Sequence, residues 1–390
     1  MKEKLSLPKG WEIKTIGDVC VSASSNVSQN KLANDEGDYQ IYGASGLIKK
    51  VSFYHQDKPY LSIVKDGSGV GRVTKMDAYT SVIGTLQYIL PKENIDLDYL
   101  NYSLMSVDFK KYVTGAAIPH IYFKDYKNEP FLWMPLPEQQ RIVSILDEAF
   151  AAIAKAKANA EQNLKNAKEL FESYLQGVFE NGNWEKKKWG ELCDFVRGPF
   201  GGSLKKSVFK ESGYVVYEQK HAIHDHFNQL RYFIDEEKFN EMKRFEVFPS
   251  DIIMSCSGVT LGRVAVVPDG IPKGIINQAL LKLTPKKNVN VHIIKHWLRS
   301  SIFQKIIFDY SGGAAIPNVP SAKILKDIKI PCPSLKEQEK IVTEIEIVLN
   351  ESKRLEGIYQ RKIDDLEELK KSILQKAFVG ELKKEKLETA

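Results

Sequence analysis

A chain of 390 residues is longer than one ordinary domain and suits two or three, each able to bury its own core. Hydrophobic residues at 43% and charged residues at 27% fit a soluble folded protein and exclude a disordered one, while the apolar runs are too short for a bilayer. The opening Met1 to Trp11 lacks the apolar core of a secretory signal, so a cytoplasmic location is expected; Cys20, Cys193, Cys256 and Cys332 stand singly, which argues against a zinc ribbon or a disulfide framework, and the net charge of +6 is only mildly basic.

In chain order, Trp11-Glu12 and then Gly17-Asp18-Val19-Cys20 open the first segment. Gly67-Ser68-Gly69-Val70-Gly71 has the wrong spacing for a phosphate loop, and Arg72-Val73-Thr74 reads as a strand, so a hairpin is expected with Lys65, Ser68 and Arg72 at its exposed end. An arginine there can bond a guanine edge or anchor a phosphate, and a plain structural turn is the alternative for each residue. The pentapeptide Gly-Ala-Ala-Ile-Pro (115–119) is expected to lock the last loop against the following helix start. The polar and aromatic residues after it, His120, Tyr122 and Lys124, are candidates to meet DNA. After Leu136-Pro137 a proline-free helix is expected over 138–181, opening on Glu138-Gln139-Gln140-Arg141. Its apolar positions Ile142, Leu146, Ala149, Ile153, Ala156, Ala160, Leu164, Ala167, Phe171, Tyr174 and Val178 recur at coiled-coil spacing, with one stutter at Ala160 to Leu164.

The second half repeats these features in order. Trp184-Glu185 and Gly190-Glu191-Leu192-Cys193 follow at an offset of 173, Gly258 to Val264 at 191 and Pro285 at 194. The pentapeptide returns letter for letter at 313–317, and Leu335 to Val342 answers Leu136 to Val143 at 199. Of the 26 residues by which the offset grows, 18 are gained between the Trp-Glu start and the Gly-x-x-x-Gly-Arg string. That inserted region holds Lys220, His221, His224 and His226; Asp225 alone does not complete a metal site, so a basic DNA-facing loop is expected. Ser257, Thr260 and Arg263 are counterparts of the first hairpin end, and Asn318 and Lys323 of the residues after the pentapeptide. His292 and His296 share a helix face but lack the glutamate of a metalloprotease helix, and read as surface or core residues. The second long helix carries Ile341, Ile345, Val348, Ser352, Leu355, Tyr359, Ile363, Leu366, Lys370, Ile373 and Ala377 in the corresponding register, with Leu369 placed to cover Lys370.

A helix of 43 residues would be about 64 Å long, too long for one compact domain, and the two are expected to pair antiparallel within the chain, small residues of the first against large ones of the second. The alternative is two coiled coils with partner chains. The helical stretches carry 5 basic against 7 acidic residues and 8 against 10, so the positive charge is concentrated on the globular segments, where phosphates would be met. Such an arrangement suits two linked readers whose separation the helices fix.

The doubled Gly-Ala-Ala-Ile-Pro loops, with Pro-Leu-Pro-Glu-Gln-Gln-Arg-Ile-Val and Pro-Ser-Leu-Lys-Glu-Gln-Glu-Lys-Ile-Val, make nearly the whole chain resemble the specificity subunit of type I restriction-modification systems. The resemblance implies an α+β chain of two mixed α/β target recognition domains separated by a pair of long antiparallel coiled-coil helices, related as a pseudo-two-fold internal repeat. Its parts would be 1–137 and 182–334 for the domains and 138–181 and 335–390 for the helices. It also implies double-stranded DNA read as a bipartite asymmetric sequence. The partners would be two modification subunits, which carry S-adenosylmethionine and methylate adenine, and through them restriction subunits using ATP and magnesium. Glu138, Gln139 and Arg141, with Glu337, Gln338 and Lys340, are candidate contacts for the modification subunits, although helix initiation alone explains them. Methyltransferase Asp-Pro-Pro-Tyr-type, Walker A and nuclease motifs are absent from the sequence, so no catalytic residue, cofactor or metal is expected in this chain. The rival reading is a duplicated coiled-coil scaffold or adaptor without sequence-specific DNA binding.

Overall fold

The computed structural model describes residues 7, 9–115, 117–258, 260–310 and 318–378. It divides into two compact units, one of 1–161 with 360–390 and one of 162–359, so each unit combines one globular segment with a stretch of both long helices.

The first unit begins with β1 (Glu12–Thr15), the short α1 (Ile16–Val19) and β2 (Cys20–Ser24). Thr15 caps α1 through a reciprocal box with Asp18. There follow β3 (Tyr39–Gly43), β4 (Gly46–Val51), β5 (Tyr60–Val64), β6 (Val73–Met76), β7 (Ser81–Val82), β8 (Leu86–Pro91), α2 (Leu97–Met105), α3 (Phe123–Tyr126), β9 (Pro130–Trp133) and the long α4 (Leu136–Asn181). An antiparallel sheet runs β2-β8-β5-β6, a mixed one β4-β3-β7, and β1 pairs with β9. The middle strand β5, Tyr-Leu-Ser-Ile-Val, is buried throughout because both of its faces are covered. Leu61 and Ile63 join Tyr99, Leu100, Ile142 and Leu146 in one core, whereas Tyr60 and Val64 join Ile41, Val82 and Tyr88 in another.

The second unit repeats the plan: β10 (Lys186–Lys188), α5 (Trp189–Leu192), β11 (Cys193–Arg197), β12 (Tyr214–Tyr217), α6 (Gln219–His224), β13 (Phe233–Ile234), α7 (Glu236–Glu241), β14 (Ile252–Ser255), β15 (Val264–Val266), β16 (Gly274–Ile276), β17 (Leu280–Pro285), α8 (Val291–Arg299), α9 (Ser301–Tyr310), α10 (Ala322–Asp327), β18 (Lys329–Pro331) and α11 (Leu335–Phe378). Its sheets run β11-β17-β14-β15, β13-β12-β16 and β10-β18. Registers coincide as well as order. Cys20 faces Pro91 as Cys193 faces Pro285, and Leu61 faces Lys75 and Ile89 as Ile252 faces Val266 and Leu283. Most of the 18 extra residues fall between β12 and β14: β12 and β13 stand where β3 and β4 stand in the first unit, and α6 and α7 are added on either side of β13.

Within each unit the long-helix stretches run antiparallel. Lys157 bonds Glu367 at 2.6 Å and Lys370 lies over the Phe150 ring at 5.1 Å in the first; Ser352 Oγ donates to the Ala167 carbonyl at 2.6 Å in the second. The buried stripe departs from the expected one near the globular segments. Phe150 is buried where Ala149 was expected, and Leu175 and Phe179 are buried more deeply than Tyr174 and Val178. There the helix packs on a domain core as well as on its neighbour helix, which widens the apolar stripe. Leu369 does not cover Lys370: it is exposed, and Leu374 and Ala377 fill the core instead.

A matched polar contact joins domain to helix in both units. Tyr102 on α2 donates to Asp147 on α4 at 2.5 Å, and the repeat-equivalent His296 on α8 meets Glu346 on α11 at 2.9 Å. Burial holds the His296 imidazole down to about 4 against Glu346, which favours its proton, while Lys295 and Arg299 oppose it. The unfolded chain takes up that proton near the ordinary 6.5, so stability of this unit is full above that pH and falls as the pH drops toward 4. We expect the loss over this window to reach about 3 kcal/mol. It should be smaller in His296→Gln, as read by urea unfolding at pH 7.5 and 4.5; equal pH dependence in both proteins would contradict this.

Candidate nucleic-acid interface

The Gly-x-x-x-Gly-Arg string forms the end of the expected hairpin between β5 and β6. Gly67 and Gly71 have φ of +97° and +87°, and Gly258 and Gly262 +80° and +76°, left-handed values that explain why glycine recurs at this spacing. At Gly71 a side chain would also strike Phe109, its Cβ lying 2.6 Å from that of the phenylalanine.

The two signature motifs, starting 48 residues apart in sequence at Gly67 and Gly115, meet at this hairpin end. Gly67 N–H donates to the Pro119 carbonyl at 2.8 Å and Ile121 N–H to the Lys65 carbonyl at 3.0 Å. In the second unit Val319 N–H donates to the Cys256 carbonyl at 2.9 Å, the equivalent bond, and Ser257 bridges Asn318. The pentapeptide therefore locks onto the neighbouring turn and not, as expected, onto the helix start; Ile118 is exposed. Its second copy, 313–317, lies outside the described residues, as does Ala116 of the first.

Around the first hairpin end Ser68 and Arg72 are exposed and Lys65 is half-buried, its ammonium 3.9 Å from Asp66. Arg72 donates to the Ala44 carbonyl in the β3–β4 turn and lines a cavity of about 230 Å³ with Ser45, Ser62 and Thr74. The His120 and Tyr122 rings pack at a tilt with centroids 5.4 Å apart, with Lys124 over the Tyr122 ring at 5.3 Å, an aromatic and cationic cluster on the surface. In the second unit Arg263, Asn318 and Lys323 are exposed, and Ser257 and Thr260 half-buried. Gln219, which sequence reasoning passed over, donates 2.5 Å bonds to Ser255 Oγ and the Ser257 carbonyl and so ties the inserted α6 to this turn.

The inserted loop is less basic in its contacts than its composition suggested. His221 is buried, accepts from the Glu218 N–H at 2.9 Å, and is held by desolvation below the usual imidazole range, so it belongs to the core and not to a DNA-facing surface. Lys220 is paired with Glu218 and bonded to the Gln229 carbonyl. His224 is exposed and stacks on His226, and Asp225 is engaged by Lys295 and Arg299 at 2.8 and 3.0 Å. The thiols of Cys20, Cys193 and Cys256 are buried and pushed up to about 12 by desolvation, which keeps them protonated.

The helix-start candidates separate sharply. Gln139 is fully buried: its Oε1 accepts from the Asp96 N–H at 2.9 Å, and its Nε2 donates to the carbonyls of Met134 and Asn94 at 2.7 and 3.0 Å. Gln338 makes the same joint, accepting from the Asn290 N–H and donating to the Pro333 carbonyl, both at 2.8 Å. Asp96 and Asn290 are the caps of α2 and α8, so each glutamine fastens a domain helix to a long helix and is unavailable to a partner. Glu138 chelates Arg141 with 2.9 and 2.6 Å bonds, Glu337 caps through Ser334, and Lys340 is exposed. We expect Gln139→Ala and Gln338→Ala each to destabilise their unit by about 1–3 kcal/mol by orphaning buried backbone groups. Lys340→Ala should be neutral within about 0.5 kcal/mol; comparable losses at all three in denaturant unfolding would contradict the distinction.

Comparison with known proteins agrees with this duplicated geometry. The model of the type I restriction modification DNA specificity domain matches residues 8–165 and again 181–361. The specificity subunit of the type I restriction enzyme MjaVIII of Methanocaldococcus jannaschii is 23% identical over 97% of this chain and 94% of its own length. That of EcoDI from Escherichia coli is 21% identical over 96% and 89%. Among solved structures, a chain from work on complex assembly and conformational transition of the type I R-M system superposes with a TM-score of 0.75 at 18% identity, covering 97% of this chain and all of its own. The HsdS subunit from Thermoanaerobacter tengcongensis gives 0.61 at 18% identity over 97% and 99%.

Proposed function

The chain belongs to the family of type I restriction-modification DNA specificity domains and is a specificity subunit of such a system; we propose that each of its units reads one half of a bipartite, asymmetric double-stranded target. The observation that carries this is the coincidence, in both units, of the glycine hairpin and the segment after the pentapeptide at one end of a four-stranded sheet. One surface per unit then presents Arg72, His120, Tyr122 and Lys124, or Arg263, Asn318 and Lys323, with Lys65, Ser68, Ser257 and Thr260 beside them. Arginine and asparagine suit the edges of guanine and adenine, lysine suits phosphate, and the exposed cations supply the salt-dependent part of binding.

In this reading the long helices pair as a coiled coil, with the pseudo-two-fold relation that the repeat implies, and fix the number of unread base pairs between the two words. Residues of the helix starts, the half-buried Arg141 and the exposed Lys340 among them, contribute to docking two modification subunits. Those subunits bring S-adenosylmethionine and the adenine methylation, restriction subunits bring ATP, magnesium and cleavage, and this chain brings no catalytic group. Among the described residues no helix is long and apolar enough to cross a membrane.

The test is reconstitution with the cognate modification subunits. The mixture should methylate adenine at defined sites that neither component modifies alone, and Arg72→Ala should weaken binding through the first half-site by about tenfold while leaving the second unchanged. Site-specific methylation by the modification subunits alone, or equal loss at both half-sites, would contradict the reading.

A further inference from the structure

Among the described residues Phe200 is the most exposed large hydrophobic, at 94% against 68% for Ile13, the next. Single exposed apolar residues need no explanation in themselves, but this one is held out by an ordered support. Pro199 beside it is buried, Gly198 N–H donates to the Leu280 carbonyl at 2.8 Å, and Ser203 N–H closes a turn onto the Phe200 carbonyl at 2.9 Å. Gly198 lies so close to the Asn277 carbonyl that a Cβ would approach it to 1.9 Å, which fixes the loop against the start of β17. The ring is thus presented by a braced loop.

Its position gives the presentation a direction. The loop leaves β11 at Arg197, which faces Leu281, while Ser255 at the end of β14 faces Leu280; Phe200 therefore emerges at the same sheet end as Ser257 and Asn318. Arg197, Lys205 and Lys206 flank it, all exposed and none in an ion pair with the described residues. At the equivalent place in the first unit stands Val27, partly buried in the core between the sheets and bonded through its carbonyl to Gly84. The apolar group that one unit tucks inward the other turns out among unpaired cations.

We propose that Phe200 is a DNA wedge of the second unit, its ring entering a base step within or beside the second half-site while Arg197, Lys205 and Lys206 hold the flanking phosphates. The inference rests on the reading of the chain as a DNA specificity subunit. An apolar wedge partly unstacks a step and bends the duplex, so it favours deformable pyrimidine–purine steps and adds selectivity without hydrogen bonds to bases. The uncompensated cations select DNA over an apolar protein partner as the occupant.

The experiment uses the full chain with its modification subunits and a duplex carrying the target identified by methylation sequencing. Phe200→Ala, a change at a solvent-exposed ring, should raise Kd about tenfold and reduce the bend measured by end-to-end energy transfer. Phe200→Trp should retain affinity, and its added indole emission, taken as the difference from the unaltered chain, should be quenched on binding. Scrambling the second word should abolish the difference between the unaltered chain and the alanine variant. A Kd for the alanine variant within about twofold of the unaltered chain, on a duplex the latter discriminates, would overturn the wedge alone. Loss of the modification subunits from the variant complex would overturn it in favour of a protein contact. Failure of the unaltered complex to discriminate target from scrambled duplex would overturn the functional reading and the wedge with it.

Discussion

The joint made by Gln139, and made again by Gln338, is the constraint on which the rest of the structure depends. A long helix leaving a globular domain has its first N–H groups unpaired and no reason to leave in one direction. Here a buried amide at the helix start takes the N–H of a cap residue of the domain's own helix and gives its protons back to carbonyls on the approach. On the proposed reading of the long helices as a spacer, such a joint keeps each domain in one orientation on its helix. The Tyr102–Asp147 and His296–Glu346 contacts, each about two turns further along the long helix, secure the same junction with different chemistry.

Around these joints the two units keep order and register and change their periphery. Sheet order and cross-strand partners coincide, down to cysteines that are buried and protonated in both copies. The differences gather around the β3–β4 pair, whose counterpart β12–β13 carries α6 and α7 as additions, and at the loop that tucks Val27 inward in one unit and turns Phe200 outward in the other. A conserved scaffold under divergent loops is what two readers of different words require, since the hydrogen-bonded ladder tolerates little change while surface loops tolerate much.

The repeat and both long helices were legible in the sequence because they rest on exact recurrence and on a period that survives translation into three dimensions. The hairpin at Gly67 to Arg72 was legible because its glycine spacing misses that of a phosphate loop and a strand follows at Arg72-Val73-Thr74; the left-handed backbone at Gly67 and Gly71 accounts for the glycines themselves. Contacts across long sequence separations were not. Gln139 and Gln338 looked like surface residues of a helix start, and their burial comes from Asp96 and Asn290, more than 40 residues away. His221 read as part of a basic loop, yet Glu218 and the core around Tyr217 and Phe227 enclose it. Leu369, expected to cover the weak heptad position at Lys370, stays exposed, because near a domain the helix answers to two surfaces at once. Phe200 had a signal in its Pro-Phe-Gly-Gly setting, a rigid residue before and flexible ones after, but one motif copy without a partner in the other half escapes a search for repeats.

The central claim is that two units of one fold read two different short words at a fixed separation. Methylation-profile sequencing of DNA from cells carrying this chain with its modification subunits tests it directly. The account predicts one asymmetric motif of two specified words around an unspecified spacer of constant length, and replacement of residues 182–334 by another second domain should change one word only. A single uninterrupted motif, a spacer that varies from site to site, or a change in both words after the exchange would contradict it.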